Sequence, residues 1–230
     1  MNRKATELRI GGLARLSTCD WPGQLVATIF CQGCAWDCPY CHNPGLRSLQ
    51  AEDLISWRSI VEFLQSRRSL LDGVVFSGGE PTLQSALLDA VTEVRKLGFR
   101  IGLHTAGIVP ERLASLLPLL DWVGFDVKAP FAIYPRITGI EGSGDNALES
   151  LRSLLVSGIP HEIRTTVHPF LLSPTDLLEL RDQLLYLGIE NFVVQQFSPR
   201  GMLSGRLPSV SEYPIVPQNL GSDFLCFRVR

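Results

Sequence analysis

From residue 24 onward the chain alternates short apolar runs with longer stretches in which apolar side chains recur every three or four positions. Residues 25–31 (LVATIFC), 73–77 (GVVFS), 100–105, 122–127, 162–167 and 192–197 are apolar with little regard to parity. That pattern predicts strands buried on both faces. Between them lie amphipathic segments. Residues 55–66 present Ile55, Ile60, Val61, Phe63 and Leu64 on one face, and residues 85–97 end before Gly98, a natural stop. Residues 110–117 begin on a proline, 146–157 stop at Gly158, and 175–187 run from Ser173-Pro174 to Gly188.

Six strands separated by five helices predict a parallel α/β sheet with right-handed crossovers. A doubly wound open sheet and a barrel of βα units both fit that order. No G-x-G-x-x-G follows the first strand, which weakens the dinucleotide-binding form of the open sheet. Six units are too few to close an eight-stranded barrel, whereas an incomplete barrel, open at its side, fits the count. Residues 8–17 are expected as a short strand or hairpin. Residues 201–230, rich in Gly, Pro and Ser, are expected as a tail packed over one domain whose core spans about 20–200.

Composition narrows the function classes. Of 230 residues 45% are hydrophobic, ample for a core, and 21 Lys and Arg against 23 Asp and Glu leave a net charge of −2. That balance argues against a strongly basic nucleic-acid binder and against an acidic solvating tail. The first ten residues are polar and mixed in charge. The greasiest stretch, 113–125, is interrupted by Pro118 and Asp121, well short of the ~20 residues a spanning helix needs. A cytoplasmic protein is expected, with neither nucleic acid nor membrane as partner.

Four of the six cysteines, Cys31, Cys34, Cys38 and Cys41, fall within eleven residues directly after the first strand. That is the carboxyl edge of the sheet, where α/β proteins keep their chemistry. So tight a cluster reads as metal binding rather than a disulfide framework. Two C-x2-C pairs separated by three residues would wrap one zinc ion very sharply, and the order does not match a bacterial ferredoxin run. Cys34, Cys38 and Cys41 instead form C-x3-C-x2-C. Three thiolates can hold three irons of a [4Fe–4S] cluster and leave the fourth open, the mark of a reactive site. Structural zinc and a simple electron carrier stay open as non-catalytic readings.

C-x3-C-x2-C with Tyr40 before the last cysteine resembles the signature of radical S-adenosylmethionine (SAM) enzymes. The wording Asp20-Trp21-Pro22-Gly23, then CQGCAWDCPYCHNP, is similar to the activating enzymes of glycyl-radical proteins, above all those of anaerobic ribonucleoside-triphosphate reductase. The resemblance runs from Asp20 to about residue 199 and implies an incomplete (βα)6 TIM-like barrel of the radical SAM type. It implies metal ligation by Cys34, Cys38 and Cys41, and it places Tyr40 and His42 at the cofactor site. Cys31, outside that triad, reads either as a fourth ligand in the resting enzyme or as a buried strand-end thiol, the thiol being favoured. It also implies reductive cleavage of SAM to methionine and a 5′-deoxyadenosyl radical, which would take hydrogen from a glycine of the partner, anaerobic ribonucleotide reductase. A reductant such as flavodoxin or ferredoxin would supply the electron. The alternative is a radical SAM enzyme acting on a small molecule, for example one like 7-carboxy-7-deazaguanine synthase. The HNP ending and the lack of an added domain to build a closed pocket weigh against it.

Further motifs sit at strand ends. Ser77-Gly78-Gly79-Glu80-Pro81 reads on its own as a tight turn, and resembles the family's GGE motif for the amino group of SAM, assigning Gly78, Gly79 and Glu80. Asp126-Val127-Lys128 puts an acid and a base on one side of a strand and resembles the family's Asp-x-Lys segment. Arg164, a charge inside the fifth strand that must be paired, resembles the family arginine at the ribose or carboxylate of SAM. Gln195 and Gln196 are candidates for the adenine. His104-Thr105-Ala106-Gly107 departs from the Asp-Thr-Asn-Gly usual in the activases, so His104 is assigned no role. Trp21, Trp36, Trp122, His161 and His168 are expected as packing or surface residues, Trp36 being carried near the open iron by the cluster loop. Cys19 and Cys226 are expected as small core residues.

Overall fold

The computed structural model describes residues 3–198, 206–208 and 216–230. Among these the strands form one sheet whose spatial order is the chain order, eight strands from β1 to β8. β1 (Ile10–Ser17) runs antiparallel to β2 (Val26–Cys31). The six strands expected from the apolar runs follow in parallel: β2, β3 (Gly73–Gly78), β4 (Arg100–Thr105), β5 (Trp122–Asp126), β6 (His161–Val167) and β7 (Asn191–Gln196). Between them run α1 (Trp57–Gln65), α2 (Leu87–Lys96), α3 (Pro110–Leu116), α4 (Tyr134–Thr138), α5 (Ser143–Ser157) and α6 (Pro174–Tyr186). Sequential order with one crossover per strand curls the sheet into the incomplete barrel, and β1 and β8 are its unjoined edges.

The helix limits have local causes. Ser56 caps α1, its Oγ accepting from the Ser59 amide at 3.2 Å. A reciprocal capping box between Ser173 and Asp176, with Pro174 at the first turn, opens α6. The left-handed Gly158 closes α5.

Along each strand the two parities differ. Val74 and Phe76, Ile101 and Leu103, Val123 and Phe125, and Ile163 join one continuous core with Ile60, Leu64, Leu87, Val91, Leu113, Leu151, Leu154, Leu177 and Leu180 of the helices. The opposite parity faces the barrel interior. There Trp21 and Trp122 stack at 5.7 Å and 18° over Val26 and Val75, a second cluster that fills the lower interior. Above it the same parity turns polar at the strand ends: Ser77, His104, Asp126, Arg164, Thr166 and Gln195. A strand buried on both faces thus carries its apolar packing on one and its chemistry on the other.

The strand or hairpin expected within residues 8–17 forms as β1 (Ile10–Ser17), antiparallel to β2 and bulged between Ala14 and Ser17. Two other expectations change. The tail expected over 201–230 ends in an eighth strand, β8 (Cys226–Val229), parallel to β7. Phe224 and Phe227 fasten it to Phe192, with ring centroids 5.3 and 6.0 Å from Phe192. Residues 199–205 and 209–215 lie outside the described residues, and with them the far end of the expected core and part of the tail. Finally, Cys19 is exposed in the β1–β2 connection and Cys226 is half-buried on an edge strand, so neither is a core residue.

Candidate active site

A cavity of about 580 Å³ lies at the carboxyl ends of β2–β7. Its walls include every residue assigned from the sequence: Cys34, Cys38, Cys41, Tyr40, His42, Gly78, Gly79, Glu80, Asp126, Lys128 and Arg164. Residues far apart in the chain meet there because a parallel sheet brings all its strand ends to one edge. The cavity also takes Trp36 and Gln195, and Thr18, Asp20, His104, Thr166, Arg228 and Arg230, to which the sequence assigned no part. Gln196 is exposed and absent from these walls, since successive strand residues face opposite ways; only Gln195 stays a candidate.

The cysteine loop is tied down along its length. Gln32 Nε2 donates to the carbonyls of Gly45 (3.0 Å) and Ser48 (2.8 Å), and the Gly33 and Cys34 amides donate to Leu46 and Arg47. The Asp37 amide donates to Thr138 at 2.8 Å, while its carboxylate pairs with Arg47 and Arg206. Trp36 is buried edge-on to Tyr134. Cys31 closes β2, fully buried and outside the cavity walls.

Cys34 and Cys38 of this loop are desolvated. Burial pushes the Cys34 thiol up to about 12 and raises Cys38 too, with Lys128 nearby pulling the other way. Such thiols stay protonated unless a strongly positive centre takes the proton's place, which is the chemistry of a soft-metal ligand set. The three thiols of Cys34, Cys38 and Cys41 share the wall of one cavity, and closely set thiolates are the ligands that iron–sulfur clusters take. The Tyr40 hydroxyl is buried there with no hydrogen-bond partner among the described residues.

Two glycines set the floor. Gly78 has a φ of +113°, and a Cβ there would stand 2.5 Å from the Cys31 backbone. A Cβ on Gly79 would stand 2.2 Å from the Gly33 carbonyl oxygen, so any side chain would push the cysteine loop away. Glu80 turns inward. Its Oε1 accepts from the Thr82 amide (3.0 Å), the Thr82 hydroxyl (2.7 Å) and the Thr105 hydroxyl (2.7 Å), and Oε2 from the Ala106 amide (2.9 Å). The carboxylate is therefore spent on tying β3 to β4, and Glu80 has only its backbone to offer a ligand.

Asp126 and Arg164 are register partners on β5 and β6, which places the guanidinium against the carboxylate. Lys128 Nζ reaches the other oxygen at 3.1 Å and lies over the Tyr40 ring. Burial alone would raise the Asp126 carboxyl, but Arg164 and Lys128 outweigh it and hold the group well below the carboxylate range. Burial likewise disfavours the Lys128 ammonium, and Asp126 reverses that. His42 stacks on Phe197 and donates from Nε2 to the Ser198 carbonyl at 3.1 Å.

His104, to which the sequence assigned no role, has a defined tautomer. Nε2 lies 2.7 Å from the Asp20 carbonyl and must donate, so Nδ1 accepts from the Ser77 hydroxyl at 3.2 Å. Burial, reinforced by Arg164, pushes its pKa down to about 3. A histidine kept neutral in this way contributes stability that is complete above its unfolded pKa near 6.5 and is lost as the pH falls below it. His104→Gln can keep both hydrogen bonds. It should flatten the decline of unfolding free energy between pH 7 and 5 by one bound proton; an unchanged slope in denaturant titrations would show that His104 titrates normally.

Residues 28–181 match the profile of the radical SAM superfamily. A protein of Methanocaldococcus jannaschii, named as a glycyl-radical enzyme activating enzyme, is 29% identical over 203 residues, 83% of this chain and 80% of the relative. The pyruvate formate-lyase-activating enzyme of Clostridium pasteurianum is 31% identical over 172 residues, 71% of this chain and 70% of its own length. Among solved structures, Streptococcus suis SuiB superposes with a TM-score of 0.64 at 15% identity, over 86% of this chain and 47% of SuiB, a likeness of fold.

Proposed function

Because the chain belongs to the radical SAM superfamily, we propose that it installs a glycyl radical on a partner enzyme, and that this partner is an anaerobic ribonucleotide reductase. The superfamily uses a [4Fe–4S] cluster and SAM, which when bound supply the one-electron chemistry that makes SAM a hydrogen-atom abstractor. Cys34, Cys38 and Cys41 would hold the cluster. Gly78 and Gly79 would let the SAM amino group approach the backbone closely, and Lys128 and Arg164, fixed by Asp126, would meet its carboxylate or ribose. Trp36, Tyr40 and Phe30 exclude water from the cavity wall. One electron from a flavodoxin or ferredoxin and one SAM would be consumed for each hydrogen atom removed, giving methionine and 5′-deoxyadenosine.

A protein substrate is favoured by one observation. Thr18, Asp20 and Pro22 lie on the segment that leaves β1 and crosses the barrel beneath the cavity, whereas Arg228 and Arg230 wall it from β8 and its end. β1 and β8 are the two edges of the sheet and do not pair with each other among the described residues. The gap between them can admit a loop of backbone, and a glycine α-hydrogen needs no side-chain pocket around it. Two relatives that match most of their own length carry activase names, which supports the same reading.

The test mixes reduced, SAM-loaded protein with glycyl-radical enzymes encoded in the same genome. The expected result is a glycyl doublet in the electron paramagnetic resonance spectrum of the reductase. Formation of 5′-deoxyadenosine with no doublet on any partner would replace this reading by small-molecule chemistry.

A further inference from the structure

The charges on the cavity wall are unevenly spent. Asp126 is shared by Arg164 and Lys128, and Glu80 is saturated by four donors. The Asp20 carboxylate accepts from the Thr28 hydroxyl at 2.6 Å. At the far edge β8 alternates. Phe227 and Val229 face away from the cavity on the parity of Phe192, while Arg228 and the following Arg230 line it.

The two arginines differ in their partners. Arg230 forks onto the buried Glu162 carboxylate, Nη2 to Oε1 at 2.7 Å and Nη1 to Oε2 at 3.4 Å, and so clamps the sheet edge to β6. Arg228 is exposed at the rim, and its side chain makes no hydrogen bond or ion pair among the described residues. Its backbone is nevertheless held in register, opposite Val193, with Arg164 next on the same row. A guanidinium without a counter-charge among the described residues, held on a registered strand at the cavity rim, is a site for a carboxylate.

We propose that Arg228 docks an acidic side chain of the peptide that brings its glycine into the cavity. The chemistry is a charge-assisted, fork-shaped contact, for which arginine is suited and lysine is a poorer substitute. The proposal deepens the activase reading and rests on its peptide substrate. Arg228 is assigned to peptide binding and to neither cluster nor SAM, so substrate choice, rather than SAM cleavage, carries its signature.

The test uses reconstituted, SAM-loaded full-length protein without reductant, and fluorescein-labelled heptapeptides with a central glycine. Each of the six flanking positions carries Glu in one peptide and Gln in its twin. Wild type is expected to bind at least one Glu peptide about tenfold more tightly than its Gln twin, the scale of one charged hydrogen bond. Arg228→Gln should erase that preference and Arg228→Lys should keep part of it. A wild type that does not distinguish any pair, or a preference that survives Arg228→Gln, overturns the proposal. Adding dithionite to the same peptides with dideuterated glycine judges the activase reading separately. If Arg228 governs binding but no deuterium reaches 5′-deoxyadenosine, the chemistry is misassigned and the docking residue stands.

Discussion

Alanine at Cys34, Cys38 or Cys41, one at a time, is expected to leave the protein folded but to abolish reductive SAM cleavage, whereas Cys31→Ala retains both iron and cleavage. The difference lies in position. The first three thiols stand on a loop that follows β2 and line the cavity, while Cys31 is the last residue of β2, with its thiol fully buried outside the cavity wall. The other thiol along the described wall, Cys19, stands on the β1–β2 connection beside the Ser17 hydroxyl rather than on the cysteine loop, so it is not expected to replace a lost thiolate. Removing Cys31 deletes one buried sulfur and costs only packing, about 1 kcal/mol. Iron and sulfide content after anaerobic reconstitution, read beside SAM turnover, checks both halves. Loss of iron from Cys31→Ala as complete as from Cys34→Ala would mean that the ligand set is wrong.

Asp126→Asn is expected to destabilise the fold by about 3 kcal/mol. That is the lower end for a broken buried pair, because the Asp126 side chain keeps 28% of its surface exposed. Arg164 is 8% exposed and would lose its counter-charge, as would Lys128. The pH dependence follows from the depressed carboxyl. The pair's stabilisation is complete above the unfolded carboxyl value near 3.9 and fades as the pH falls below it, so the variant should lose the corresponding part of its acid sensitivity. Iron content should be unaffected, because Asp126 is no thiolate, and SAM affinity should drop as Arg164 and Lys128 lose their orientation. Denaturant midpoints at pH 7 and pH 3 give the first result, and equilibrium SAM binding the second. A midpoint at pH 7 equal to that of wild type would show the triad to be no more than a solvated surface pair.

Much of this was legible in the chain because the fold is local in kind. Each apolar run stops at a glycine, proline or polar pair, so β2–β7 and their helices follow from short windows. A parallel sheet then gathers the strand-end motifs without any further information. What escaped needed partners distant in sequence. Glu80 reads as a ligand, yet Thr105 and Ala106 at the end of β4 claim its carboxylate. His104 reads as a departure from a pattern, and its tautomer depends on the Asp20 carbonyl, 84 residues away. Gln195 and Gln196 look equivalent until the strand's alternation turns one of them outward. β8 did carry a signal, the alternation Phe-Arg-Val-Arg. It is too short to stand alone, and only the aromatic contact of Phe224 and Phe227 with Phe192 makes it a strand. α4, five residues beginning Tyr-Pro, has no periodicity to read.

The central claim, that this cavity removes a hydrogen atom from a backbone glycine, is tested most directly by following that hydrogen. The reductase is prepared with dideuterated glycine and mixed anaerobically with reduced protein and SAM, and the 5′-deoxyadenosine is analysed by mass spectrometry. The account predicts one deuterium in each 5′-deoxyadenosine formed, with matching loss from the reductase. Unlabelled 5′-deoxyadenosine, formed at the same rate whether or not the reductase is present, would contradict it.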